Sequence, residues 1–282
     1  MKPLLLIATL LSLAAVPALA ADAVRLERNG KLTFEFPELP ETFFTQATGE
    51  KRAALLTAQL PENYTRDGRF PIFLFLNGGS GGRGNDLTAR AIVGTRDFIS
   101  VNVPLFKDKP PANPPQIPGF NYRADQIILP SDAAVLSRAY RVMLQKLFDT
   151  VPNIVKERST LGGFSNGAHA AAALVAGKDE FILSHFTAFC FFEGGMALAL
   201  NPAALQQPAL KQSRFILLFG DADDGAGRKS AEPFLAALTR EATAAKLDFT
   251  RVVMHGYGHK LPPEYMKLLG QWVRGEKIAE VK

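Results

Sequence analysis

Seven consecutive residues, Phe70–Leu76 (FPIFLFL), are almost wholly apolar, and the run has the length of a strand. A strand that is apolar on both sides must be covered on both sides, which a parallel sheet between two helical layers achieves. The rest of the chain fits that demand. Phe98–Val103, Thr160–Phe164, Phe186–Phe192, Phe215–Phe219 and Phe249–Met254 read as companion strands, rich in aromatic and β-branched residues. Helical stretches lie between them. Ser131-Asp132 can cap a helix running to about Asp149, with Ala134, Leu136, Tyr140, Met143, Leu144 and Leu147 on its apolar side. Asn166–Gly177, Ser230–Ala245 and Pro263–Trp272 are the other helices, and Leu32–Phe36 and Arg52–Gln59 read as antiparallel edge strands. The alternation predicts the α/β class, a mostly parallel central sheet with helices on both faces.

Two segments depart from this rhythm. Pro104–Pro118 carries six prolines in fifteen residues and cannot be regular structure. At the N-terminus, Lys2, an apolar run from Leu4 to Val16 and the ending Pro17-Ala18-Leu19-Ala20 form a secretory leader, with cleavage expected after Ala20. The apolar run is shorter than the roughly 18–20 residues a membrane span needs, so no stable membrane anchor is expected. The remaining residues 21–282 read as one domain, exported to the periplasm or secreted. The formal charge of +5 is small and its basic residues are scattered, which argues against a nucleic-acid partner. Cys190 is the single cysteine and sits among Phe189, Phe191 and Phe192, so it reads as a buried packing residue.

Chemistry enters at Gly162-Gly163-Phe164-Ser165-Asn166-Gly167, which follows a short strand and opens an alanine-rich helix. A serine in Gly163-x-Ser165-x-Gly167 sits on a tight strand-to-helix turn that tolerates no side chain two residues to either side. The turn presents the hydroxyl above the sheet, at the positive end of a helix. Gly78-Gly79-Ser80-Gly81-Gly82 satisfies the same pattern, but no small-residue helix follows it. Ser165 is therefore the candidate nucleophile. The glycine turn after Phe70–Leu76 is suited instead to backbone amides facing a substrate carbonyl, with Gly79 and Asn166 as the donors.

A serine nucleophile needs a base, and the histidines are His169, His185, His255 and His259. His169 lies one turn along the helix from Ser165 and reads as pointing away; His185 reads as a loop cap. His255 and His259 follow the last strand, and the loop Gly256-Tyr257-Gly258-His259 favours His259 as base. The acid is expected from Gly220-Asp221-Ala222-Asp223-Asp224, with Asp223 preferred over Asp221 and Asp224. That turn lacks the ligand spacing of a calcium loop, and no metal or cofactor is expected. Phe106, Phe120, Tyr122 and Glu193 are the candidate substrate contacts, being close to strand ends where sites in such sheets form.

The segments ALLTAQLPENY with FPIFLFLNGGSGG, then GGFSNGAHA, FGDADD and GYGHKLPP together resemble the α/β-hydrolase superfamily. They are most similar to exported esterases of the polyhydroxybutyrate-depolymerase and feruloyl-esterase kind and to prolyl-oligopeptidase-like hydrolases. The resemblance implies a serine carboxylic-ester hydrolase with a Ser165, Asp223 and His259 triad, acting on a small-molecule or polymer-linked ester. It also favours Gly79 as an oxyanion donor, although Asn77 replaces the histidine that usually precedes that turn, and it carries none of the disulfides common among secreted relatives. A peptidase or amidase on the same fold and a non-catalytic ligand-binding homologue are the alternatives.

Overall fold

The computed structural model describes residues 25–85, 88–110, 112–117, 122–222 and 232–278. The expected leader, Phe120 and both Asp223 and Asp224 lie outside these residues. In chain order the elements are β1 (Lys31–Phe36), α1 (Phe43–Thr48), β2 (Ala54–Gln59), β3 (Phe70–Leu76), α2 (Thr88–Val93) and β4 (Ile99–Asn102). There follow α3 (Ala133–Thr150), β5 (Ile154–Phe164), α4 (Asn166–Ala176), α5 (Glu180–His185), β6 (Ala188–Phe192) and α6 (Met196–Leu200). The chain then continues through β7 (Arg214–Gly220), α7 (Glu232–Ala244), β8 (Asp248–Met254) and α8 (Pro263–Arg274).

Among the described residues the eight strands join one sheet in the order β1-β2-β4-β3-β5-β6-β7-β8. β1 and β2 are antiparallel, β2 meets β4 antiparallel, and every pairing from β4 onward is parallel. β3, fully buried along its length, lies inside the sheet as its apolar sequence requires. Its residues alternate between two cores, as successive side chains of any strand must. Ile72, Leu74 and Leu76 face the core formed with α3, α4 and α7, whereas Phe73 and Phe75 face the core formed with α2 and α8. The chain therefore has the mostly parallel sheet covered on both faces that its sequence predicts.

β5 is longer than the predicted Thr160–Phe164. Its first residues pair with β3 at Phe70↔Ile154 and Pro71↔Val155, and the register then shifts to Phe73↔Thr160. Within this irregularity Arg158 adopts φ 66°, and the Ser159 hydroxyl accepts the Ile72 N–H at 2.9 Å. The exposed charges of Lys156, Glu157 and Arg158 hide the strand from an apolar pattern.

Parallel β3, β5, β6, β7 and β8 all end at the same sheet edge. That edge gathers the Gly78–Gly81 turn, Ser165, Glu193, Asp221 and the loop carrying His259.

Candidate active site

Ser165 stands between the last residue of β5 and the first of α4, with φ 55° and ψ −119°. This conformation is rare for a residue with a side chain and is held because the surroundings over-determine it. The Ser165 N–H donates to Phe192 O at 2.8 Å, and Ser165 O accepts the His169 N–H at 2.9 Å. The flanking glycines are demanded by close approach. A Cβ on Gly163 would lie 2.4 Å from the Gly167 carbonyl carbon, and one on Gly167 would lie 2.0 Å from Leu76 O.

His259 reaches the serine from the loop after β8. Its Nε2 is 2.8 Å from Ser165 Oγ, a distance at which the hydroxyl donates to an imidazole protonated at Nδ1. The Phe164 ring packs against the imidazole, with centroids 5.0 Å apart. The loop is tied to β7 by the Ala222 N–H donating to Tyr257 O at 3.0 Å. Tyr257 in turn donates its hydroxyl to Glu264 on α8, a bond that raises the phenol pKa and lowers that of the carboxylate. The glycines and exposed polar residues that make the loop look flexible in sequence thus coexist with specific ties.

The edge of the imidazole opposite Ser165 faces a carboxylate. Glu193 Oε2 is 3.7 Å from His259 Nδ1, and the Glu193 side chain is 1% exposed. Its other oxygen accepts the Gly220 N–H at 2.8 Å. Glu193 therefore lies behind the imidazole, bonded to the end of β7 rather than exposed at the surface of the site. Its sequence position, directly after β6 at the active edge of the sheet, was the available signal. Asp221, an alternative acid, is turned elsewhere: it accepts from the Gly256 N–H and pairs with His255 Nδ1, both at 2.7 Å. These two contacts hold its pKa below the usual carboxylate value, with the His255 bond the larger cause. His255, paired there and 74% exposed, is not at the serine.

The Gly78–Gly81 turn is closed by the Gly81 N–H donating to Gly78 O at 3.0 Å, with Gly79 at φ 60°. The turn touches the nucleophile, since a Cβ on Gly78 would lie 2.8 Å from the Phe164 ring and 3.1 Å from Ser165 Cβ. Asn166, expected only as a backbone donor, also clamps this turn by its side chain. Its Nδ2 donates to Gly79 O at 2.8 Å and Gln126 O at 2.9 Å, while Oδ1 accepts the Ile128 N–H at 3.0 Å.

His169 does not point idly along its helix. A helical side chain slants back towards the N-terminus, and its Nδ1 accepts the N–H groups of Gly195 and Met196 at 3.0 Å each. Burial first, and the neighbouring charge of His259 second, bring its pKa down to about 4. The neutral ring with its proton on Nε2 is therefore the form that holds the loop after β6. His185 stacks on Phe148 at 4.6 Å, at the end of α5.

Phe106 is completely buried, edge-on to Tyr140 at 6.1 Å, because the chain bridges to Thr42 at this residue before it reaches the surface. It packs the core, so its burial gives no support to the expected substrate contact. Tyr122 is half-buried beside the short Gln116↔Arg123 bridge. Cys190 is buried against Gly162, and burial pushes its thiol pKa up. Among the described residues no group of three or more His, Cys, Asp or Glu side chains is gathered to hold a metal ion.

No protein-family model matches the sequence, and no curated protein matches it. Solved structures do match the fold. A thermostable esterase superposes with a TM-score of 0.53 at 14% identity, over 87% of this chain and 59% of that one, so this chain spans under two thirds of that protein's length. A ferulic acid esterase from Anaeromyces mucronatus, solved with ferulic acid, gives 0.52 at 11% identity over 89% and 92% of the two chains. A dienelactone hydrolase from Anabaena variabilis gives 0.51 at 15% identity over 86% and 98%.

Proposed function

We propose that this chain, which has the α/β-hydrolase fold, is a serine hydrolase that cleaves carboxylic esters through an acyl-enzyme on Ser165. One observation carries the reading: a strained elbow serine at a helix N-terminus with an imidazole nitrogen 2.8 Å from its oxygen. A serine hydroxyl is a weak nucleophile until a base takes its proton, and this is the arrangement that activates it.

In the first step Nε2 of His259 takes the Ser165 proton as Oγ attacks the ester carbonyl carbon. Negative charge develops on the carbonyl oxygen, which the N–H groups of Asn166 and Gly79 receive; such donors, fixed in advance, lose nothing to reorganisation during reaction. The imidazolium then protonates the departing alcohol. Water, deprotonated by His259 in its turn, attacks the acyl carbon and releases the acid and free Ser165. Asp223, which follows β7 in the sequence, is the proposed triad acid. The existence of esterases among solved proteins of this fold supports an ester substrate, small or polymer-linked, and Phe120 and Tyr122 are proposed to line its pocket. The leader-like pattern of residues 1–20 supports a proposed export, with the mature chain proposed to begin at Ala21 as a single domain.

The test pairs turnover of short p-nitrophenyl esters with labelling by a fluorophosphonate probe, in the wild type and in Ser165→Ala. Turnover and labelling present in the wild type and absent from the variant are expected. Faster cleavage of peptide anilides than of esters would replace the esterase reading by a peptidase. A wild type that neither labels nor turns over would end it.

A further inference from the structure

We propose that Lys107, paired with Asp132, is a positioning residue for the oxyanion turn. It fixes the backbone of residues 126–128, which holds the Asn166 amide and, through that amide, the Gly79 peptide. The inference rests on the functional reading above and deepens it, by naming what aims the backbone donors.

The connection runs through one peptide unit. Lys107 Nζ donates to Ile127 O at 2.7 Å and to Asp132 Oδ2 at 2.9 Å. The N–H of the same Ile127–Ile128 peptide donates to Asn166 Oδ1 at 3.0 Å. A trans peptide is planar and carries its C=O and N–H in opposite directions, so this unit cannot turn without disturbing both bonds. The preceding carbonyl, Gln126 O, accepts from Asn166 Nδ2 at 2.9 Å, and the same Nδ2 reaches Gly79 O at 2.8 Å. A buried ammonium and the turn beside Ser165 are thus joined through two side chains and one rigid plane.

The lysine is itself held. Lys107 O accepts from Gln46 Nε2 of α1 at 2.8 Å, and Nζ stands over the Phe43 ring at 5.9 Å. Asp132 accepts the Asp108 N–H at Oδ1 and the Leu129 N–H at Oδ2, at 3.1 and 2.8 Å. The same stretch of chain also meets the turn directly. Gly81, at φ 81°, packs so closely on Leu105 that a Cβ there would lie 2.4 Å from Leu105 Cγ. The turn is therefore supported at Gly79 by Asn166 and at Gly81 by the residue two before Lys107.

Energetics favour position over stability as the reason for an ion pair here. Both side chains are 3% exposed, and taking two charges out of water is costly enough that apolar replacement of a buried pair is often neutral or stabilising. An apolar residue at 107 would fill the space but leave Ile127 O, on a residue 3% exposed, without this donor.

The experiment measures kcat and KM on p-nitrophenyl acetate, per site titrated by the fluorophosphonate, beside thermal melting. The full-length proteins are wild type, Lys107→Met, Lys107→Met/Asp132→Asn, Asn166→Ala and Lys107→Met/Asn166→Ala. Lys107→Met should lower kcat about five- to twentyfold, less than outright loss of an oxyanion donor, with KM within about twofold. Removing the stranded charge in Lys107→Met/Asp132→Asn should raise the melting temperature above that of Lys107→Met without recovering kcat, since methionine cannot bond Ile127 O. In the Asn166→Ala background Lys107→Met should change kcat by less than about twofold, because the two residues act through one peptide. Three results would overturn the proposal: kcat of Lys107→Met within about twofold of wild type, effects of Lys107→Met and Asn166→Ala that multiply independently, or a rate that returns with stability in the neutral pair. So would failure of both the Lys107→Met and Lys107→Met/Asp132→Asn proteins to fold, which would assign the pair to the fold alone. Absence of Ser165-dependent turnover in the wild type is a different result: it removes the esterase reading, and this proposal with it.

Discussion

Replacing Asn166 by alanine tests whether one side chain both stabilises the fold and sets the oxyanion turn. Asn166 is 6% exposed, and its amide makes three hydrogen bonds, two donated to the carbonyls of Gly79 and Gln126 and one accepted from Ile128. Each such bond contributes about 1 kcal/mol net, and a buried donor left without an acceptor costs about 1–3 kcal/mol more. Ile128, 1% exposed, carries the donor that alanine would strand. A water entering the vacated space offsets part of this, so about 3 kcal/mol is the expected loss of stability. For a chain of this size that lowers the melting temperature by roughly 6–12 °C.

The catalytic effect is separate. Without the clamp the Gly79 carbonyl is free to turn, and the neighbouring amides lose their aim. Losing one oxyanion donor outright costs about a hundredfold to a thousandfold in kcat, so a misaimed donor should cost roughly ten- to a hundredfold, with KM little changed. Asn166→Asp should be worse than alanine, since a carboxylate oxygen would then face two carbonyls. The assay is thermal melting beside ester kinetics on purified protein. An alanine variant that melts within about 2 °C of wild type and keeps kcat within about twofold would refute the reasoning.

Three further outcomes follow from the same geometry. His169, neutral when folded down to about pH 4 but titrating near 6.5 when unfolded, confers stability that is fully present above pH 6.5 and lost as pH falls towards 4. The loss amounts to at most about 3 kcal/mol, and urea midpoints should show a shallower pH dependence in His169→Gln, which keeps an acceptor but no titrating group. The ion pair of Lys107 and Asp132, 2.9 Å apart with both side chains 3% exposed, ties the proline-rich segment to the start of α3. Lys107→Ala should cost about 3–5 kcal/mol in chemical denaturation, and restoring neutrality with Asp132→Asn should recover part of it. Gly78→Ala would place a methyl 2.8 Å from the Phe164 ring, so at least about a tenfold fall in kcat and slower fluorophosphonate labelling are expected, with an unchanged circular dichroism spectrum.

What could be read in the sequence and what could not are divided by the reach of each signal. The β3 run, the elbow and the alanine-rich α4 are local patterns, because strand burial and a tight strand-to-helix turn dictate residue type within a few positions. Even the choice between Ser80 and Ser165 was decided locally, by the helix that follows one and not the other. The pairing of His259 with Ser165 spans 94 residues, yet the order of elements in a parallel sheet brings all strand ends to one edge, so it was inferable from topology. Contacts set by packing within that edge were not. Asn166 reaches back 87 residues to Gly79, and the choice of an asparagine there becomes intelligible only once Gln126 and Ile128 are known to lie beside it. The burial of Phe106 was hidden because proline-rich sequence suggests exposure, whereas its neighbours Leu105 and Lys107 are buried with it and the chain leaves the core only afterwards. Glu193 is the most instructive case. A glutamate beside two phenylalanines and two glycines is as good a substrate contact as a buried anchor on pattern alone. What favours the anchor is the Gly220 amide on one carboxylate oxygen and the imidazole facing the other, both supplied by strands that the sheet order places beyond β6. The chemistry of this edge is therefore written in residue types, and its assignment to particular residues in the order of the strands.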